Sequence, residues 1–336
     1  MSETPQNPLS SASASAPVPR RSLRQFPFLR EAVAAGLLVI AFLVSAKFAP
    51  SFLDRDYLFD ATSLYVEAAL LALPMTFIII SGNIDISVAS TLALTACATA
   101  TLNDRLHFAM PLAMLCGLLL GGLLGFFNGF LIAKWRLPSL AVTLGTYALY
   151  RGMAQILLGD QSVSRFPEWF AGVDYRRVIG PVPVPLTIFL ILALLSGLLL
   201  HRTVFGRWTF AVGVNREASR YSGVPVPFVL ISLFTLSGLT AALGGMLMTS
   251  RMSAARFDMA PGLELDAITA VVLGGTDIFG GRGTMLGTLI ALGLLFVLRT
   301  GMGLANVTAE GQMVVIGGLL LAAILFSNLL QRGGRR

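Results

Sequence analysis

Few residues in this 336-residue chain have the type and spacing that chemistry needs. A phosphate-binding loop needs a glycine-rich turn followed by a lysine that reaches the phosphates. No Gly-Lys pair occurs anywhere, and the glycine-rich run GGTDIFGGRG at 274–283 has neither dinucleotide-binding spacing nor a strand before it. Hydrolytic catalysis fares no better, because His107 and His201 are the only histidines and each falls near the end of an apolar block, where an imidazole is ordinarily a polar tip at headgroup level. Cys97 and Cys116 lie inside apolar blocks without metal-ligand spacing and read as small buried hydrophobes. Cation coupling would show as acids in mid-span with partners, and only Glu67 and Asp266 qualify. No catalytic, metal or cofactor residue is expected, and the chain reads as a non-enzyme.

What remains is polar and glycine-rich. SGNIDISVASTLAL at 81–94 and GGTDIFGGRGTMLG at 274–287 each set a glycine and an Asp-Ile pair, at Asp85 and Asp277, at a junction between two apolar blocks. Repeated halves with broken helices at matching junctions are common in transporters. Asn83, Asp85, Asn128 and Asp277 are therefore candidates for lining or gating a translocation path; equally, Asn and Asp at such junctions accept hydrogen bonds from the free N–H groups of a helix start. The stretch GVNREASRYSG, at 213–223, is too hydrophilic to cross lipid and carries good helix formers in its middle.

The elements that must position these residues are membrane helices. Hydrophobic residues make up 55% of the chain and charged ones 12%, against roughly 25% charged in a soluble domain. The mean hydropathy of +0.79 is spread over blocks of about 17 to 25 residues, enough to cross hydrocarbon as helix. Blocks at about 31–49, 61–81, 86–102, 108–133, 138–158, 184–201, 225–250, 263–280, 284–300 and 309–328 give about ten spans. The expected fold is all-α, a polytopic transmembrane helical bundle, because lipid offers a backbone no partners and the blocks are too uniformly apolar for barrel strands. Gly117, Gly121 and Gly125 in one block, and Gly238, Gly244 and Gly245 in another, read as helix-packing surfaces rather than ligand sites.

Charge sets the orientation. The net charge of +7 suggests nucleic acid only for a soluble protein; here most basic residues sit between apolar blocks, as orientation signals and lipid-headgroup contacts, and no nucleic acid partner is expected. With the N terminus inside, 14 of 24 basic residues fall on the inner side, clustered at both termini, which favours both termini in the cytoplasm. Residues 1–29 then form a disordered cytoplasmic tail preceding a transmembrane domain at 30–330, and 331–336 a short cytoplasmic end. A cleaved signal peptide is the competing account of the basic stretch before Ala32, but the further spans make a first membrane helix simpler. Residues 159–183 face outside and 202–223 inside.

Four segments together resemble one family, the ribose, xylose, arabinose and galactoside type of ABC-transporter permease: ALPMTFIIISGNIDISVAS (72–90), LPSLAVTLGTYALYRG (137–152), FGRWTFAVGVNREASRYSGVPV (205–226) and AITAVVLGGTDIFGGRGTMLGT (267–288). The resemblance runs in order from about 30 to 328 and is nearest, within that family, to permeases for rhamnose or for autoinducer-2. It implies a bacterial inner-membrane subunit that imports a monosaccharide or a related furanose by ATP-driven alternating access. The partners it implies are separate ATPase subunits, a second permease copy or paralogue, and a periplasmic sugar-binding protein. It also implies that Asn215, Arg216, Glu217, Ala218, Ser219, Arg220 and Gly223 form a coupling helix for the ATPase, matching a Glu-Ala-Ala, three residues, Gly pattern with Ser219 in place of the second alanine. The longer consensus that follows that glycine is missing. On the residues alone the same loop reads as a solvated connection. An ion-coupled secondary sugar transporter is the alternative reading.

Overall fold

A backbone in hydrocarbon has only its own carbonyls to bond, and each apolar block accordingly folds on itself. The computed structural model describes residues 29–333. In order these form α1 (Leu29–Phe48), a 3-10 turn (Pro50–Leu53), α2 (Arg55–Thr62), α3 (Val66–Ile80), α4 (Val88–Asp104), α5 (Met110–Lys134) and α6 (Ser139–Leu158). A connecting excursion holds α7 (Glu168–Ala171) and a hairpin of β1 (Arg177–Ile179) and β2 (Val182–Pro183). Then come α8 (Val184–Arg202), α9 (Val204–Val214), α10 (Arg216–Tyr221), α11 (Val226–Met252), α12 (Leu263–Leu273), α13 (Met285–Leu304) and α14 (Ala309–Gly333). Prolines open α5, α8 and α11, where their fixed φ and missing N–H suit the first turn.

The protein is an all-α membrane protein. α5, α8, α11 and α13 are each long and apolar enough to cross a membrane, and α2 with α3 would make a fifth span bent by 55°. α12 departs from the expected span at 263–280. It covers only 11 residues, a rise of about 16 Å, and the rest of that block is a glycine turn. The expected tails lie outside the described residues, apart from Leu29 at the N-terminal side and residues 331–333 at the other.

α3 occupies the centre, with 14 of its 15 residues buried, which is why it is apolar all round rather than on one stripe. α11 packs on α3, α4 and α5. Gly121 and Gly125 of one pattern face Gly238 of the other, a Cβ on Gly121 striking the Gly238 carbonyl and one on Gly125 the Phe234 carbonyl, while a Cβ on Gly245 would strike the Leu92 carbonyl of α4. Backbone contact of this kind replaces the hydrophobic drive that lipid cannot supply.

Contacts sort the helix ends onto two faces. On one, Arg105 at the end of α4 donates to the Leu157 carbonyl near the end of α6; Val163 bridges to Ala255, and Ser250 near the end of α11 donates to Phe170. Two ion pairs lie toward the same face, Glu67 of α3 with Arg251 of α11 at 3.0 Å, and Asp266 of α12 with Arg299 of α13. On the other face, His201 Nε2 at the end of α8 accepts from the Met285 amide that opens α13, at 3.2 Å. His201 is therefore a helix-start partner rather than a loose polar tip. Successive long helices alternate between these faces.

Gly125→Leu should lower the thermal unfolding midpoint of the detergent-solubilised chain, at a cost of about 1–3 kcal/mol for overpacking. Gly145→Leu, where a Cβ meets nothing within 4 Å, should leave it nearly unchanged; equal effects would contradict the assigned packing.

Candidate functional site

Asn215 ends α9 and starts α10 at once. Its extended backbone (φ −160°, ψ 107°) breaks the helix, and its Oδ1 accepts the Ala218 amide at 2.9 Å, a standard cap for an orphan N–H. Glu217 in the first turn and Arg220 in the last complement the helix dipole. At the far end Gly223 adopts φ +83°; the Val224 amide bonds Ser219 and the Gly223 amide bonds Arg220. That is a Schellman cap, for which a Cβ would be strained. Empty space surrounds Gly223, so conformation alone calls for glycine there.

The expected coupling residues divide by direction. Glu217, Ala218, Arg220 and Gly223 are exposed with Asn215, whereas Ser219 is buried and donates to the Asn215 carbonyl at 2.8 Å. Arg216 turns inward and donates to the Ile132 carbonyl near the end of α5 at 3.1 Å, and burial, with Arg136 close by, holds its pKa below the ordinary arginine value. Arg216 and Ser219 thus anchor α10, and the others form its outer surface. Sequence reasoning passed over Val214, Tyr221 and Phe279, which are 73%, 84% and 85% exposed at this same face. Val214 and Tyr221 could have been read as large apolar residues among polar and charged neighbours outside the blocks, whereas Phe279 was hidden inside the block at 263–280.

The two Asp-Ile junctions share one geometry. α3 ends on Gly82 (φ +76°) and α12 on Gly275 (φ +90°), each in a Schellman cap completed by the amides of Asn83 and Thr276. Beyond each cap an Asp accepts from the amide two residues on: Asp85 from Ser87 at 3.0 Å and Asp277 from Phe279 at 3.1 Å. The sequence echo is therefore a structural repeat.

The two junctions and α9 also meet. Gly281 N donates to the Ile80 carbonyl at 2.7 Å. A Cβ on Gly213, near the end of α9, would overlap both the Ile80 carbonyl and the Gly281 amide; one on Gly280 would overlap Gly82, and one on Gly281 would press on Val214. Three chain segments touch backbone to backbone, with α10 one residue beyond.

Asp85 and Asn128 belong to one buried network. Ser237 Oγ of α11 donates to Asp85 Oδ2 at 2.9 Å and Ser87 Oγ to Oδ1 at 2.6 Å. Asn128 Nδ2 of α5 donates to Ser87 Oγ at 2.8 Å. The Tyr150 hydroxyl of α6 lies 3.1 Å from the Leu124 carbonyl and 3.3 Å from Asn128 Oδ1. Ser87, Tyr150 and Ser237 are members the sequence did not single out. Asn83 stays local, donating to the Ser81 carbonyl and hydroxyl, and Asp277 sits in its own turn outside the network. Asp85 is 2% exposed, so in this conformation its carboxylate is closed in by Ser87 and by Ser237 of α11 rather than facing an open path. Among the described residues no group of three His, Cys, Asp or Glu has metal-ligating geometry.

Four helices long and apolar enough to cross a membrane, with one further bent pair, define a multi-pass membrane protein, and its family makes it a transport permease. Residues 57–324 match the family described as branched-chain amino acid transport system / permease component, and the chain belongs to that family. It is 38% identical over 301 residues to the autoinducer 2 import system permease protein LsrD of Escherichia coli K12, covering 88% of this chain and 91% of that protein. The Shigella flexneri protein of the same name matches equally. No solved structure matches.

Gly223→Val should cost the α10 cap about 1–2 kcal/mol, read as faster tryptic cleavage after Arg220 with the bundle's unfolding midpoint unchanged. Gly213→Val should instead lower that midpoint, because no rotation relieves a clash with main chain.

Proposed function

We propose that the chain is the membrane subunit of a bacterial inner-membrane ABC importer for a monosaccharide or an autoinducer-2-like furanose. The name of the LsrD relatives supports the substrate class, and the four family segments support the mechanism. Of two ATPase subunits in the complex, one would dock on the outer surface of this chain's α10, with Val214, Tyr221 and Phe279 as apolar contacts. A sugar-binding protein would deliver cargo at the opposite face, over the excursion at 159–183. Both termini and residues 202–223 are cytoplasmic in this reading. Ten membrane passages follow if each broken helix counts as one, consistent with the alternation of helix ends. A second permease copy fits the open face of α6, where Gly145 and Gly152 have no neighbour within 4 Å and Met153 and Ile156 are exposed.

The observation that carries the reading is the glycine contact of α9 with both junctions. ATP binding closes the ATPase pair, displaces α10, and moves the ends of α3 and α12 with it. The buried network around Asp85 and Asn128 then opens or closes the path beside the break. ATP shifts the equilibrium by its differential affinity for the two states. The two candidate acids for ion coupling, Glu67 and Asp266, are each held by an arginine, an arrangement that suits structural neutralisation better than a proton relay.

In vesicles holding the whole complex, uptake of ribose, rhamnose or autoinducer-2 should stop when ATP is withheld and a proton gradient kept. Continued uptake would favour the ion-coupled alternative. Glu217→Arg should weaken ATPase-subunit binding by at least about tenfold while membrane insertion survives; normal complex formation would remove the coupling assignment.

A further inference from the structure

The connection from α11 to α12, residues 253–262, lies on the face that carries the excursion. It is strapped down rather than loose. Ala255 exchanges two backbone hydrogen bonds with Val163, at 2.9 and 3.2 Å, and is buried in one apolar cluster with Leu94 and Cys97 of α4 and Tyr150 and Ala154 of α6. Seating the strap requires left-handed backbone at Ser253 (φ +48°) and Ala260 (φ +61°), a conformation that costs free energy for a residue with a Cβ. Its contacts must therefore hold it against that strain.

Arg151 of α6 provides a charged donor for the purpose. Its Nη1 donates to the Phe257 carbonyl at 2.5 Å and to the Met259 carbonyl at 2.8 Å, and its guanidinium lies 5.7 Å from the centre of the Tyr147 ring. Its Nη2, however, is buried without a hydrogen-bond partner among the described residues, and so is Oε2 of Glu264, in the first turn of α12 just past the strap. Glu264 is 7% exposed. Its charge and that of Arg151 act on one another, yet the two are not joined as an ion pair. Asp258, the other acid that feels Arg151, is already held by Arg256 at 2.7 and 2.8 Å. Glu264 is thus the acid left to receive the guanidinium, and a carboxylate is a stronger acceptor for it than a carbonyl.

We propose that Arg151 is the latch of this strap: seated, it grips the Phe257 and Met259 carbonyls, and the strap lifts when the guanidinium exchanges them for the Glu264 carboxylate. Neither state satisfies every group. The seated strap leaves a buried donor and a buried acceptor unpaired and two residues strained; the lifted one pairs the charges and gives the two carbonyls to water. Such a balance suits two discrete positions rather than a continuum. The strap leads directly into α12, whose far end is the Gly275 turn, so lifting it on one face pulls on the junction at the other. The latch itself needs neither the proposed cargo nor ATP.

Hydrogen-exchange mass spectrometry on the purified full chain, read at peptides covering 254–262, tests the exchange of partners. Arg151→Gln should speed exchange there by at least about tenfold, as expected when two hydrogen bonds from a charged donor are lost. Arg151→Lys, which keeps the charge without the fork, should fall between it and the unmodified chain, and it supplies the same comparison if the Gln variant folds poorly. Glu264→Gln should slow exchange, because the competing acceptor is weakened, and should change nothing once Arg151 is already Gln. Unchanged exchange in both Arg151 variants overturns the proposal. So does a Glu264→Gln chain that exchanges faster, or an effect of that change equally large with and without Arg151, either of which would make Glu264 a structural residue acting independently of the latch.

Discussion

The structure depends on a contact that only hydrogen atoms leave room for. At Gly213 and Gly280 the main chains of three segments approach so closely that any side chain would collide with backbone, and one hydrogen bond, Gly281 N to Ile80 O, fastens them. Packed side chains can slide and repack, whereas backbone against backbone has little freedom to do either. A displacement of α9 must therefore travel to the end of α3 and to the turn after α12. The same device recurs higher in the bundle, where Gly121, Gly125 and Gly238 bring α5 and α11 together; there it fixes a wall, and at the junction it fixes a lever.

Three acids of the bundle are held by hydrogen-bond or ion-pair partners. The Asp85 carboxylate takes three hydrogen bonds from Ser87 and Ser237, and Glu67 and Asp266 each have an arginine. In a low-dielectric interior an unpaired carboxylate is costly, and breaking such a pair by removing one partner typically costs about 3–5 kcal/mol. The network that joins α4, α5, α6 and α11 through Ser87 is thus cooperative. Moving one of these helices relative to the others forfeits several bonds together, which favours discrete states over continuous deformation.

Much of this was legible in the residues. The apolar blocks became helices because block length and lack of backbone partners leave no other choice, and the Asp-Ile echo became a repeated cap because glycine past a helix end and Asp after it each have one favoured local geometry. Block 263–280 misled because hydropathy averages Ile278 and Phe279 with small glycines and does not register that the left-handed Gly275 has ended the helix. The network partners were hidden for a different reason. Ser237 lies 152 residues from Asp85, and Arg251 lies 184 from Glu67, so nothing local marks either as a partner. Tyr221 and Phe279 were visible as types, but their exposure follows from the end of α10 and the turn after α12 that present them.

The central claim is that α9, the end of α3 and the turn after α12 move as one body. Hydrogen-exchange mass spectrometry on the complex with the proposed ATPase subunits, with and without a non-hydrolysable ATP analogue, tests this directly. Peptides covering 78–82, 211–214 and 278–283 should change protection together and by similar factors. A nucleotide-dependent change confined to 215–223, with the Gly281 segment unaltered, would contradict the account.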